Sequence, residues 1–223
     1  MKRMKTFFVI LFIMGCGLIA CRGEKPGEMV EKEEKVATKT ILAVGDSLTA
    51  GFGLAEEEAY PALLEKKLQA DGHPYRVVNA GVSAETSSGT LSRLEWLLTQ
   101  NPDIVILETG ANDGLRGIDP QVAEKNIGEI LTVLKGRDIV VLLAGMKMVR
   151  NLGPQYVARF NALYPRLAEE HEVIFMEFFL EGVAMVSGLN QADAIHPNRA
   201  GYEKIVENIY PYVLQAIKKS EGR

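Results

Sequence analysis

Cysteine is almost missing from this chain: its 223 residues include only Cys16 and Cys21. A disulfide framework is therefore not expected. Histidine is scarce too, at three residues, and no His, Cys or carboxylate cluster has the spacing of metal ligands. Tryptophan occurs once, as Trp96 on a predicted helix, which leaves few aromatic platforms for a carbohydrate site. Neither sign of charge dominates: 25 Lys and Arg stand against 29 Asp and Glu, a net charge of −4. The basic stripe that nucleic acid would need is absent. Gly51 and Gly53 lie close together, but no lysine follows where a phosphate-cradling loop requires one. There is no internal repeat, and no low-complexity segment beyond residues 22–39.

The one long apolar run covers residues 7–20, after Lys2, Arg3 and Lys5. A basic start followed by a short apolar centre is the plan of a secretory signal. The run is short for a spanning helix, which needs about 20 apolar residues. Leu18-Ile19-Ala20-Cys21 closes it and resembles the lipobox of bacterial lipoproteins. That resemblance implies removal of residues 1–20 and lipidation of Cys21. An ordinary signal with an incidental cysteine is the alternative. Cys16 would leave with the signal, so Cys21 has no partner for an intramolecular disulfide. Several acyl chains hold a protein firmly where one binds only marginally. The expected location is the cell envelope, on a membrane outside the cytoplasm, facing the periplasm or the surface. Residues 21–39 mix Glu and Lys with Gly23, Pro26 and Gly27. Such a stretch cannot bury enough apolar surface to offset its chain entropy. It reads as a tether, with a short helix over residues 28–37 as the alternative.

Residues 40–223 are enough for one domain of roughly 150–200 residues. Apolar runs at 41–44, 75–79, 103–107, 139–144 and 173–176 predict strands. Between them, apolar residues at helical spacing predict helices over 60–70, 86–99, 120–135, 154–170 and 198–218. Gly136 is the expected C-cap of the third of these, and Pro211 the expected kink of the last. Strands apolar throughout and alternating with helices argue a parallel sheet covered on both faces. The expected architecture is a three-layer, flavodoxin-like α/β fold with five parallel strands in the order 2-1-3-4-5, which places ligands beyond the carboxyl ends of the strands.

Polar clusters follow the first three predicted strands: Asp46-Ser47, Asn79-Ala80-Gly81 and Gly110-Ala111-Asn112-Asp113. A fourth, Asp193-Ala194-Ile195-His196, precedes the last helix. In a parallel sheet all four meet at one edge. A serine hydroxyl is a weak nucleophile until a base takes its proton. Ser47 is the candidate nucleophile and His196 the candidate base. Asp193, three residues before His196, is close enough to orient the other ring nitrogen. The Ser47 N–H, the Gly81 N–H and the Asn112 amide are the candidate oxyanion donors. Asp46 and Asp113 read as loop-holding residues, and His73 and His171 as surface residues.

The four blocks resemble those of the SGNH (GDSL-type) hydrolases, through Gly45-Asp46-Ser47-Leu48, Gly81, Gly110-x-Asn112-Asp113 and Asp193-x-x-His196. Asn112-Asp113-Gly114-Leu115-Arg116-Gly117 and Asn190-Gln191-Ala192-Asp193 resemble the bacterial arylesterase, thioesterase and lysophospholipase branch. The resemblance implies a serine esterase with no metal and no cofactor, acting on aryl or acyl esters, thioesters or lysophospholipids. An envelope carbohydrate O-acetylesterase is the alternative on this fold, and a non-catalytic acyl-binding lipoprotein is another. One departure stands out. Met146-Lys147-Met148-Val149-Arg150-Asn151 lacks the prolines common in that loop, which bears on substrate preference. Met146, Met148, Phe178 and Phe179 are the candidate wall of an acyl site, with core packing the competing role for the last two.

Overall fold

The computed structural model describes residues 39–148 and 152–223. The expected signal, Cys21 and all of the tether but Lys39 lie outside the described residues, as do residues 149–151.

The first apolar run forms β1 (Lys39–Gly45), whose last five residues are buried. The chain then makes the single helical turn α1 (Ser47–Ala50), followed by α2 (Tyr60–Ala70), β2 (Tyr75–Gly81), α3 (Ser87–Ser92) and α4 (Leu94–Leu97). Next come β3 (Ile104–Glu108), α5 (Ala111–Leu115), α6 (Pro120–Gly136) and β4 (Val140–Ala144). The chain finishes with α7 (Pro154–Glu170), β5 (Ile174–Met176) and α8 (Arg199–Glu221). The five strands are parallel and lie in the order β2-β1-β3-β4-β5, as the apolar runs predict. Every residue of β3 and β4 is buried, because both faces of the sheet are covered. On one side α2 packs with α8, which also crosses β3, β4 and β5. On the other, α6 packs against both α3 and α7. Right-handed crossovers between parallel strands require this arrangement.

Three local expectations need correction. The helix expected over residues 86–99 is broken at Arg93, which has φ −103° and ψ 3°. Its guanidinium is held by the Glu85 carboxylate and by the Ala80 carbonyl at the end of β2, each at 2.7 Å. That anchorage sets the side chain's position and interrupts the helical run. Gly136 is the last helical residue rather than the cap; Arg137 takes that place and Asp138 adopts the left-handed φ of 57°. Finally, α8 holds Pro211 inside it, as expected, but ends at Glu221 rather than at residue 218.

Sheet order reverses between β1 and β3, so the crevice of the fold opens beyond their carboxyl ends. The segments after those two strands carry Ser47 and Asn112.

Candidate active site

Gly45 ends β1, and Asp46 caps the turn that follows: its Oδ1 accepts from Leu48 N–H at 2.9 Å. A capping carboxylate satisfies a backbone donor that the short helix cannot. This places Ser47 at the first helical position. His196 arrives from the other end of the chain. Its Nε2 lies 2.9 Å from Ser47 Oγ. Its Nδ1 lies 2.7 Å from Asp193 Oδ2.

The Asp193 turn explains how three residues of spacing suffice. Oδ1 accepts the backbone N–H groups of Ile195, at 2.9 Å, and His196, at 3.0 Å. Oδ2 is left to face the ring. Ala194, between them, takes a left-handed φ of 58° to close the turn. These bonds favour the charged carboxylate. The His196 backbone N–H contributes most, followed by the His196 ring and the Ile195 N–H, and together they hold Asp193 down to about 2. The ring nitrogen facing Asp193 is thus the one that keeps a proton, and Nε2 is free to accept.

Beneath the serine lies a buried polar layer. Asp46 Oδ2 accepts from the Asn112 side-chain amide at 3.0 Å. Glu108, at the end of β3, accepts from Thr49 Oγ1 at 2.8 Å and from Asp46 N–H at 3.3 Å. Burial pushes the Asp46 carboxyl up to about 6. Burial, with the Asp46 charge beside it, pushes Glu108 well above the usual carboxylate range. Asp113 accepts from both Ser87 N–H, at 2.7 Å, and Ser87 Oγ, at 2.6 Å. It therefore ties α5 to the start of α3, the loop-holding part expected of it.

A cavity of about 540 Å³ opens over Ser47 and His196. Its walls include Met146 and Met148, as expected, together with Phe178. Phe179 is not among the wall residues. It is fully buried and packs edge-on against Tyr60, with ring centroids 5.2 Å apart. Leu180, Ala184 and Met185 continue the wall instead.

Gly81 also falls away from the cavity. Its N–H is bonded to Asn79 Oδ1 at 3.0 Å. The backbone of Thr49 and Ala50 lies so close to its Cα that a Cβ would collide. Glycine at 81 thus lets α1 pack onto β2. Three residues further on, Ala84 lines the cavity in a left-handed conformation, φ 65°. No described residue accepts from its N–H, whereas its carbonyl accepts from the Arg116 guanidinium at 2.6 Å. The residue order holds no signal for this, since alanine is not the residue expected at positive φ. Phe52, Leu115 and Ile195 are further wall residues that periodicity does not reveal. His73 and His171 are partly exposed and not part of the cavity wall.

Residues 43–204 match the model of the GDSL-like Lipase/Acylhydrolase family. A Pseudomonas aeruginosa protein named Esterase TesA is 40% identical over 179 residues, covering 80% of this chain and 89% of that protein. An Escherichia coli K12 protein named Thioesterase 1/protease 1/lysophospholipase L1 is 42% identical over 164 residues, or 73% of this chain and 77% of that one. Among solved structures, the crystal structure of TesA matches with a TM-score of 0.77 and 40% identity, over 80% of this chain and 99% of that one.

Proposed function

Because the chain belongs to the GDSL-like lipase/acylhydrolase family and is a carboxylic ester hydrolase, we propose that Ser47, His196 and Asp193 carry a two-step acyl transfer to water. The observation that carries this reading is the relay of two short hydrogen bonds, Asp193 to His196 and His196 to Ser47, at the floor of an apolar cavity.

Ser47 Oγ attacks the ester or thioester carbonyl while His196 Nε2 takes its proton. The same proton passes to the leaving group as the tetrahedral intermediate collapses. Water then attacks the acyl-enzyme, with His196 again acting as base. Asp193 holds the imidazole in the required tautomer and stabilises the imidazolium. The developing oxyanion takes hydrogen bonds from the Ser47 N–H, the Asn112 side-chain amide and the Ala84 N–H, which replaces Gly81 in that role. Asp46 aims the Asn112 amide. Losing one such donor costs about 2.7–4 kcal/mol in the transition state.

The cavity's size falls in the range of about 300–1,000 Å³ typical of small-molecule sites. Met146, Met148, Phe178 and Leu180 suit an acyl chain, and methionine adapts to varied shapes. Trp96, the only platform for a sugar ring of its kind, is not part of the wall, which disfavours the O-acetylesterase alternative. A series of p-nitrophenyl esters from acetate to palmitate tests the reading. Each buried methylene is worth up to about 0.8 kcal/mol. We expect kcat/KM to rise from acetate to a medium chain length, and lysophospholipid to be hydrolysed as well. An optimum at acetate, with no gain from added methylenes, would contradict an acyl site in this cavity.

The lipid anchor is a separate proposal that rests on sequence alone: the basic start, the apolar run and Leu18-Ile19-Ala20-Cys21. It would hold the enzyme on a membrane outside the cytoplasm and keep lipid esters within reach. Radiolabelled palmitate fed to expressing cells should enter the protein and be lost from Cys21→Ser. Equal labelling of both would sink the anchor.

A further inference from the structure

The nucleophile loop, residues 46–53, and the histidine loop, residues 190–198, come from opposite ends of the domain. Among the described residues, three side-chain hydrogen bonds join them or their flanks. One is the Ser47–His196 bond itself. Another is Tyr202 Oη to Leu48 O at 2.9 Å, from the start of α8. The third belongs to Gln191, a residue with no part in the mechanism above. Its Nε2 donates to Phe52 O at 2.6 Å and to Pro197 O at 3.0 Å, one carbonyl from each loop.

These contacts close a ring around the reacting pair. Phe52 N–H donates to Ser47 O at 3.1 Å, and Gln191 N–H donates to His196 O at 2.8 Å. The path from Ser47 through Phe52 and Gln191 to His196 thus returns to Ser47 through the 2.9 Å bond between Nε2 and Oγ. The Phe52 ring rests against the imidazole, with centroids 4.7 Å apart and planes 40° apart. Gly53 makes room for the amide: φ is 81°, and a Cβ there would collide with Gln191 Oε1. The wall of the cavity does not include Gln191.

We propose that Gln191 is a positioning residue that fixes the separation of Ser47 Oγ and His196 Nε2 through Phe52 and Pro197, without touching substrate. Proton transfer needs the two atoms within about 2.6–3.2 Å. A misplacement of about 1 Å costs on the order of 100-fold in rate. An amide is suited to the task because its two protons serve two carbonyls; a carboxylate has none to give. The proposal rests on the reading of Ser47 as nucleophile and His196 as base.

The test uses the full chain as wild type, Gln191→Met and Gln191→Asn. Methionine matches the length without donors, while asparagine keeps the donors but is one methylene too short to span the loops. Three quantities are read for each: kcat and KM on one p-nitrophenyl ester, the rate of phosphonylation by a fluorophosphonate, and the Tm. The expected result for both variants is a fall of about 10- to 100-fold in kcat and in phosphonylation rate, with KM within about twofold and assays run well below Tm. A lowered Tm with kcat and phosphonylation unchanged makes Gln191 a structural tie only and overturns the proposal. If methionine prevents folding, the asparagine variant decides alone. A wild type that is neither active nor phosphonylated overturns the reading of the site itself, whereas an active wild type with fully active variants overturns only the part given to Gln191.

Discussion

Ser47→Ala should lower kcat on a p-nitrophenyl ester by a factor on the order of 10⁶, with Tm unchanged. Among the described residues, Ser47 Oγ bonds only to His196, so the substitution removes one tie between the two loops and leaves those of Tyr202 and Gln191, which keep the fold in place. Asp46 still caps α1 through Leu48, and Glu108 still accepts from Thr49. The oxyanion donors and the cavity also stay in place. A residual acceleration of about 10³–10⁴ over water is therefore expected from those donors and from substrate binding. The effect falls on kcat, because the hydroxyl contributes little to holding the acyl chain. Steady-state kinetics beside a thermal melt checks both halves. A variant that keeps activity within tenfold of wild type removes Ser47 from the chemistry.

Asp193→Asn should cost about 10⁴-fold in kcat by a different route. Asparagine keeps Oδ1, so the bonds from the Ile195 and His196 backbone can survive. Its amide nitrogen then replaces Oδ2 opposite Nδ1 and donates where the carboxylate accepted. Nδ1 must become the acceptor, which moves the ring proton to Nε2. A protonated Nε2 cannot take the proton of Ser47. Asp193 titrates at about 2, so in the wild type the carboxylate is charged through the whole working range. Raising the pH cannot rescue the variant, since the asparagine dictates the tautomer. The measurement is a pH–rate profile of both proteins: the variant should lie far below wild type at every pH. If the two profiles converge at alkaline pH, the tautomer argument fails.

Most of the scaffold was legible because its signals are local. Continuous apolar runs mark strands buried on both faces, and polar clusters directly after the runs mark one edge of the sheet. A spacing of three residues from Asp193 to His196 is enough to specify a turn. What stayed hidden depends on direction rather than identity. Phe178 and Phe179 are adjacent in an irregular segment after β5, where no periodicity tells which ring faces the cavity; one lines it and the other enters the core. Gly81 invites the reading of a close backbone approach. That approach is real, but it is made by α1 and not by a substrate. Among the described residues nothing accepts from the N–H of Ala84, whose left-handed φ no alanine announces. Arg93 breaks a helix through contacts with Glu85 and Ala80, which helical spacing cannot register. Gln191 and Phe52 meet across 139 residues, a separation over which one sequence carries no visible pairing signal.

The proposed attack by Ser47, activated by His196, can be followed as a covalent adduct. Its most direct measurement is the mass of the chain after reaction with a fluorophosphonate, followed by mapping of the labelled peptide. Serine Oγ displaces fluoride from phosphorus, so the adduct marks the attacking atom. One adduct per chain is expected, on the peptide that holds Ser47, formed as activity disappears and absent from Ser47→Ala. An adduct on another residue, or full loss of activity with Ser47 unlabelled, would contradict it.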